Sequence, residues 1–380
     1  MRRFGSIFFA FAAFGAAALS ASAARADTMD PVLNRFVLVN AANRDCRTTG
    51  AGGGVYYNPT SGYSRCSPDN APWANLVSQY GAALAPSSMH GSRTTGYGGF
   101  ELSLEANFTS IDNKKDYWVR GTQGPQDPTT KNFSVRGDPD SMIQTYMLRI
   151  RKGLPFGFEL TGTVGYVART SIVAGGADVR WSLFEGFRTG IPAVFPELSV
   201  GASVRTITGT EQMQLTVLGA DGILSKPFAI GGVVVFEPYA GYQYLRIFGD
   251  SGLIDLTPNT DAINYCAYQG QNTPAIAQPN GSPADPSKSY FDGQPVCGKP
   301  TAKSPANSAD FNNDVVFTPV RLNRHRVGGG FNLKFQVIQF GAHFISDVVD
   351  VKDANKDQTT FDFSDAGRQW TLSFSLGAVL

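Results

Sequence analysis

Apolar and polar residues alternate along most of the chain beyond about residue 97. In the stretch from Phe100 to Phe108, Phe100, Leu102, Leu104, Ala106 and Phe108 alternate with Glu101, Ser103, Glu105 and Asn107. A period of two puts each set on its own face of a strand. The pattern recurs: Tyr146, Leu148 and Ile150 alternate with Met147, Arg149 and Arg151. Phe158, Leu160, Val164 and Tyr166 oppose Glu159, Thr161 and Thr163. Ala177, Val179, Trp181 and Leu183 oppose Asp178, Arg180 and Ser182, and Leu198, Val200, Ala202 and Val204 oppose Glu197, Ser199, Ser203 and Arg205. Further candidates run from about Gln212 to Leu224, Val233 to Phe248, Val320 to Phe335, Val337 to Asp347 and Arg368 to Leu380. The break near Leu218 and Gly219 predicts a β-bulge. Parity is ambiguous between Val233 and Ile247, where Leu245 and Ile247 oppose Tyr242 and Tyr244. The pattern predicts about ten strands, within a range of roughly eight to twelve.

The connections divide into two groups. Thr109–Ser141, Ala168–Ile172, Thr206–Glu211, Gly249–Pro319 and Val348–Gly367 alternate with Lys152–Pro155, Phe184–Val194, Ser225–Gly232 and the turn at Phe335–Val337. The long loops all fall in the first group, so they gather at one end of the sheet. A soluble sandwich turns its apolar face inward. A barrel in lipid inverts this, with apolar residues on hydrocarbon and charges in the interior. Such a sheet must close, because open edges would leave backbone groups unsatisfied in lipid. The strands are long enough for the roughly 9–11 residues that a tilted crossing needs. Trp181, Trp370, Tyr146, Tyr166, Tyr242 and Tyr244 suit aromatic girdles at the interfaces.

From Tyr97 to Leu380 the chain resembles Gram-negative outer-membrane β-barrel proteins. The C-terminal "RQWTLSFSLGAVL" carries Trp370, Leu372, Phe374 and Leu376 on one face, and ends in Leu380 where the family's pattern ends in an aromatic residue. The resemblance implies an all-β, antiparallel up-and-down transmembrane barrel in the outer membrane. It also implies contact with outer-membrane lipid and lipopolysaccharide, and a terminal strand read by the barrel-insertion machinery.

The rest of the chain divides at residues 26 and 96. Arg2 and Arg3, the apolar run Ile7–Leu19 and the small residues ending Ala24-Arg25-Ala26 read as a cleavable signal peptide, residues 1–26. Residues 27–96 form a leader before the barrel domain, 97–380. Its segment "APWANLVSQYGAALAP" predicts a short helix with Trp73, Leu76, Val77, Tyr80 and Leu84 on one face, Pro72 in its first turn and Pro86 as its stop. This leader is expected either to plug the lumen or to form a small element at the periplasmic mouth. A helix about 10–12 Å wide makes a tight fit, since about eight strands already enclose only enough space for side chains. The cysteines suit an oxidising compartment, and local pairing is favoured, Cys46 with Cys66 and Cys266 with Cys297.

Charge excludes one partner class. The chain carries 32 basic and 31 acidic residues, and signal cleavage removes Arg2, Arg3 and Arg25, which leaves nothing to attract nucleic acid. The predicted inner faces interleave Glu101, Glu105, Glu159, Asp178 and Glu197 with Arg149, Arg151, Arg180, Arg205 and Lys334, and His343 is expected to face inward beside Gln339. Mixed signs favour an ion-paired filling, whereas a selective constriction tends to use one sign. No His-Ser pair stands in one strand around His343, so no enzyme is expected, and no metal or cofactor either. The loop "DVVDVKDANKDQ" spaces Asp353, Asn355 and Asp357 like the first ligands of a calcium loop, but Gln358 replaces its glycine. Two functions remain: a narrow or gated channel for small solutes or lipophilic ligands, towards which the charged and small inner residues lean, or a packed surface-interaction barrel acting through its long loops. The ligand is unspecified.

Overall fold

The computed structural model describes residues 28–38, 46–49, 54–57, 67–86, 90–124, 138–184, 195–255, 263–268, 295–298, 314–358 and 360–380. Ten long strands form the wall: β1 (Phe100–Ser110), β2 (Met142–Gly153), β3 (Phe158–Val167), β4 (Val173–Ser182), β5 (Glu197–Thr208), β6 (Met213–Ser225), β7 (Val234–Ser251), β8 (Val320–Phe335), β9 (Ile338–Asp347) and β10 (Trp370–Val379). Each pairs antiparallel with its neighbour in sequence, and β10 pairs with β1 from Thr371↔Thr109 to Val379↔Glu101. The ring is a closed ten-stranded barrel.

Burial inverts the soluble rule. Leu160 and Val164, facing outward, are 51% and 53% exposed, while Glu159 and Glu101, facing inward, are 0% and 1% exposed. An apolar outer band around a polar interior is the signature of an outer-membrane barrel, and the protein is one. Phe158 stacks on Trp181 at the short-turn end. Tyr146 with Tyr166, and Phe344 with Trp370, pair toward the long-loop end. Both barrel termini stand at the short-turn end, the periplasmic one. The protein is expected to fractionate with the outer membrane and to migrate faster unboiled than boiled on a denaturing gel; recovery as a soluble periplasmic protein would overturn the membrane assignment.

Two readings of the middle strands are corrected or resolved. No bulge interrupts β6: its register runs unbroken from Met213↔Ser251 to Ser225↔Tyr239 on β7 and from Thr216↔Thr206 to Ser225↔Glu197 on β5. Met213, Leu215 and Val217 are inward and buried, and so are Leu245 and Ile247 of β7, while Tyr242 faces outward. The inner wall is apolar here because a helix lies against it. That helix, α1 (Asn70–Leu84), is buried from Pro72 to its end and touches β1, β2, β6, β7 and β8. At the long-loop end, residues 28–38, the helix α2 (Asp116–Gly121), the segment 314–318 and the one-turn helix α3 (Val351–Ala354) close over it. The signal peptide lies outside the described residues.

Candidate functional site

The lumen is the site, and it has two layers. Its external half is dry. Trp73, Leu76, Val77 and Tyr80 of α1 pack with Leu33, Phe36, Trp118, Ile143, Met213, Leu215, Ile247, Phe317 and Leu322 in one buried cluster. The helix fits so narrow a barrel because both surfaces are thin where they meet. A Cβ on Gly81 would fall 2.6 Å from Ile247 Cγ2, and one on Gly249 would overlap Val77. The polar groups of α1 are met by the wall and cap. Trp118 Nε1 donates to Gln79 Oε1 at 2.6 Å, Gln79 Nε2 to Tyr117 Oη at 2.8 Å, and Arg324 Nη2 to Ser78 Oγ at 3.0 Å. Arg324 also binds Asp347 at 2.6 Å. No basic residue ends α1 itself. Arg326 reaches Ala82 O at 3.5 Å, so the wall supplies a donor in the helix's last turn, and Gln243 donates to Pro86 O at 3.0 Å just beyond its end.

The periplasmic half is charged and paired. Arg151 donates to Glu101 Oε2 at 2.5 Å and to Glu159 at 2.9 and 3.0 Å, while Arg149 binds Glu105, Glu101 and Ser103. Arg180 meets Asp221 at 2.6 Å and Ser199 at 3.0 Å, and Arg205 meets both oxygens of Asp178 at 2.8 and 3.2 Å. Through this layer runs a strap, residues 90–99. His90 Nδ1 lies 3.1 Å from Arg151 Nη2 and 2.8 Å from Gly91 O, and its Nε2 lies 3.5 Å from Glu159. Ser92 donates to Ile223 O at 2.8 Å, and its amide donates to Ser225 Oγ at 2.8 Å. Arg93 forks onto both oxygens of Glu197 at 2.8 Å, and the Thr95 amide donates to Glu159 at 2.9 Å. Lys334 stands half-buried at the periplasmic rim and makes no ion pair among the described residues.

Several participants carried no sequence signal of their own. His90 and Arg93 join the lumen because of where the strap runs and Glu237 because of what β7 faces, whereas the parity of β6 and β8 was the signal that could have placed Asp221, Arg324 and Arg326 inward. His343 is inward and buried, and on β10 the residue directly opposite is Ser373, with Asn107 opposite that on β1. The nearest inward hydroxyl therefore comes from the adjacent strand, not from Ser346. His343 Nε2, Ser373 Oγ and Asn107 Oδ1 have no hydrogen-bond partner among the described residues, and the three residues line a small cavity beside Ala82 and Pro86. A nucleophile needs a base within hydrogen-bond reach, and these atoms do not bond one another.

The external cap is anchored by charge as well as packing. Arg35 Nη1 donates to Thr122 O at 2.8 Å and Arg120 O at 3.4 Å, and Nη2 to Gln123 O at 3.5 Å, across the end of α2. Burial pushes the Arg35 guanidinium down to about 9. The Tyr117 hydroxyl is raised by burial and by nearby Asp112. The calcium-like spacing is used otherwise: Asn355 Oδ1 accepts from the Asn323 amide at 2.7 Å and Asp353 lies within α3, with no metal-holding cluster among the described residues. Two short strands, Tyr265–Tyr268 and Pro295–Gly298, pair with Cys266 directly opposite Cys297. Cys66 lies outside the described residues.

No family model and no curated protein matches the chain. Among solved structures, Ail of Yersinia pestis is similar at 9% identity and a TM-score of 0.23, covering 75% of this chain and 99% of its own. The translocator domain of the autotransporter NalP from Neisseria meningitidis is similar at 10% and 0.27, covering 81% and 98%. LpxR from Salmonella typhimurium is similar at 10% and 0.27, covering 73% and 99%. Likenesses this distant carry no argument about activity or partner; the barrel assignment rests on the strand pairing and burial above. The expectation that the chain is not an enzyme is corrected: the fold alone does not show enzyme status in either direction.

Proposed function

We propose that this barrel works at the cell surface with a filled lumen, through the cap and long connections at its external end. One observation carries the reading: the chain's own helix and strap, in residues 70–86 and 90–96, are bonded to the wall or cap in both layers of the lumen. The small inner residues that favoured a channel are explained by packing. Ser199 accepts from Arg180, Gly201 lies against Arg180 and Asp221, and Ser203 donates to Gly219 O at 3.4 Å. The lumen-lining set Glu101, Glu105, Arg149, Arg151, Glu159, Asp178, Arg180, Glu197 and Arg205 then serves as ion-paired filling. The test is single-channel recording of the intact protein in a planar bilayer. Silence is the expected result, and a steady conductance would return the protein to the channel class.

Two subsidiary assignments belong to the same reading. The outward face of β10, with Trp370, Leu372, Phe374 and Leu376, is the segment offered to the insertion machinery. Cys266 and Cys297 form a disulfide that staples the long external connection. Directly opposed residues on paired strands have Cα atoms about 4.5–5.5 Å apart, inside the roughly 4.4–6.8 Å that a disulfide spans. Non-reducing peptide mapping should join these two cysteines, and a peptide linking either to Cys46 or Cys66 would refute the local pairing.

A further inference from the structure

The described residues 67–86 and 90–96 of the leader run through the lumen in one direction. Its first described residues lie among the external connections: the Met29 amide donates to Arg169 O, the Val32 amide to Gly121 O, and the Leu33 amide to Gln212 Oε1 at 2.7 Å. Asp69 is bonded to Phe36, and Asn70 accepts from the Thr318 amide at 2.9 Å. From there the contacts descend β7 in order. Val77 meets Gly249, Gly81 meets Ile247, Pro86 O accepts from Gln243, and Gly91 lies against Glu237. Arg93 then reaches Glu197 and Thr95 reaches Glu159, both at the short-turn ends of their strands. Gly99 leads directly into β1, at the periplasmic rim.

We infer that the lumen carries the protein's own N-terminal segment to the cell surface, so that the barrel displays residues 28–38 on the side opposite its two barrel termini. The strands begin and end in the periplasm, and residues 28–38 stand at the far end of the barrel. The two positions are joined by a segment inside the wall. A route through lipid would drag Asp30, Arg35 and Asp69 across hydrocarbon, where ionised side chains are expensive. Inside the barrel the crossing segment finds a partner at each level, apolar above and ionic below. A plug entering from the periplasm would run the opposite way, with its start beside Glu159 and Glu197. The cap is then a surface feature built in part from the displayed segment, with Arg35 fastening it to the end of α2.

The experiment is surface labelling of intact cells. An epitope inserted between Asp27 and Thr28 is compared with one in the 348–369 connection and one in the 226–233 turn. The first two are expected to bind antibody on intact cells, and the third only after permeabilisation. As a smaller probe, Thr28→Cys is labelled with a membrane-impermeant maleimide, against the unsubstituted protein as background. If the Asp27 epitope and Thr28→Cys react only after permeabilisation while the 348–369 epitope is reached directly, the inference is overturned. That failure is separable from failure of the filled-lumen reading, because a plug inserted from the periplasm would still leave the barrel silent in a bilayer.

Discussion

Deleting Asp27–Gly96 is expected to convert a silent barrel into a conducting one, with discrete current steps where the intact protein shows none. The ladder of β1 to β10 closes without the leader, so the wall should persist. What the deletion removes is the whole apolar filling contributed by Trp73, Leu76, Val77 and Tyr80 and the strap that ties Glu159, Glu197 and Ser225 together. The steps should be small. Porins with open channels use about 16–18 strands, and ten strands leave a bore still crowded by Arg149, Arg151, Arg180 and Arg205. A folded, heat-modifiable deletion variant that stays silent would show that the wall side chains alone close the lumen. Gly249→Leu should act in the same direction with less force, since the added side chain overlaps Val77 and presses α1 off β7.

The wall was legible in the sequence because lipid imposes one rule on every strand. An outward position must be apolar whatever lies inside, so Phe100, Leu102 and Leu104, or Val179 and Trp181, announce themselves. The inner face obeys no such rule. Where the lumen is charged, the alternation is clean, as in β1 to β5. Where α1 makes it dry, Met213, Leu215, Val217, Leu245 and Ile247 are apolar inside as well as out, and the period of two fades into an apparent bulge. The helix itself was readable from Trp73, Leu76, Val77 and Tyr80, but its place was not. A helix with full-sized side chains would be too wide for this bore, and Gly81, Ala82, Ala83, Gly219 and Gly249 thin both surfaces. The direction of the crossing left no local mark, since it depends on which loop each end of the leader meets. The row His343, Ser373 and Asn107 was equally hidden, because strand register brings together residues far apart in the chain.

Replacing Arg151 is expected to be the most destabilising single change in the charged layer. The Arg151 guanidinium is shared by Glu101, Glu159, His90 and the Arg93 carbonyl, all within 3.4 Å. Arg151→Met leaves two buried carboxylates on either side of β2, Glu101 on β1 with Arg149 beside it and Glu159 on β3 with His90 and the Thr95 amide beside it. Removing one partner of a buried ion pair typically costs about 3–5 kcal/mol, because the remaining charge stays desolvated. Lys334→Met, at the rim and without an ion pair among the described residues, should stay within about 0.5 kcal/mol. Unfolding of both variants by urea in detergent micelles, read from the folded band on an unboiled gel, measures the difference. Adding Glu159→Gln to Arg151→Met should recover part of the loss, since it removes one of the stranded charges, and the double-mutant cycle isolates that coupling. An Arg151→Met protein as stable as Lys334→Met would mean that water already reaches this layer. The periplasmic half of the lumen would then be a wet vestibule beneath the dry plug, and the ionic network would contribute little to holding the strap in place.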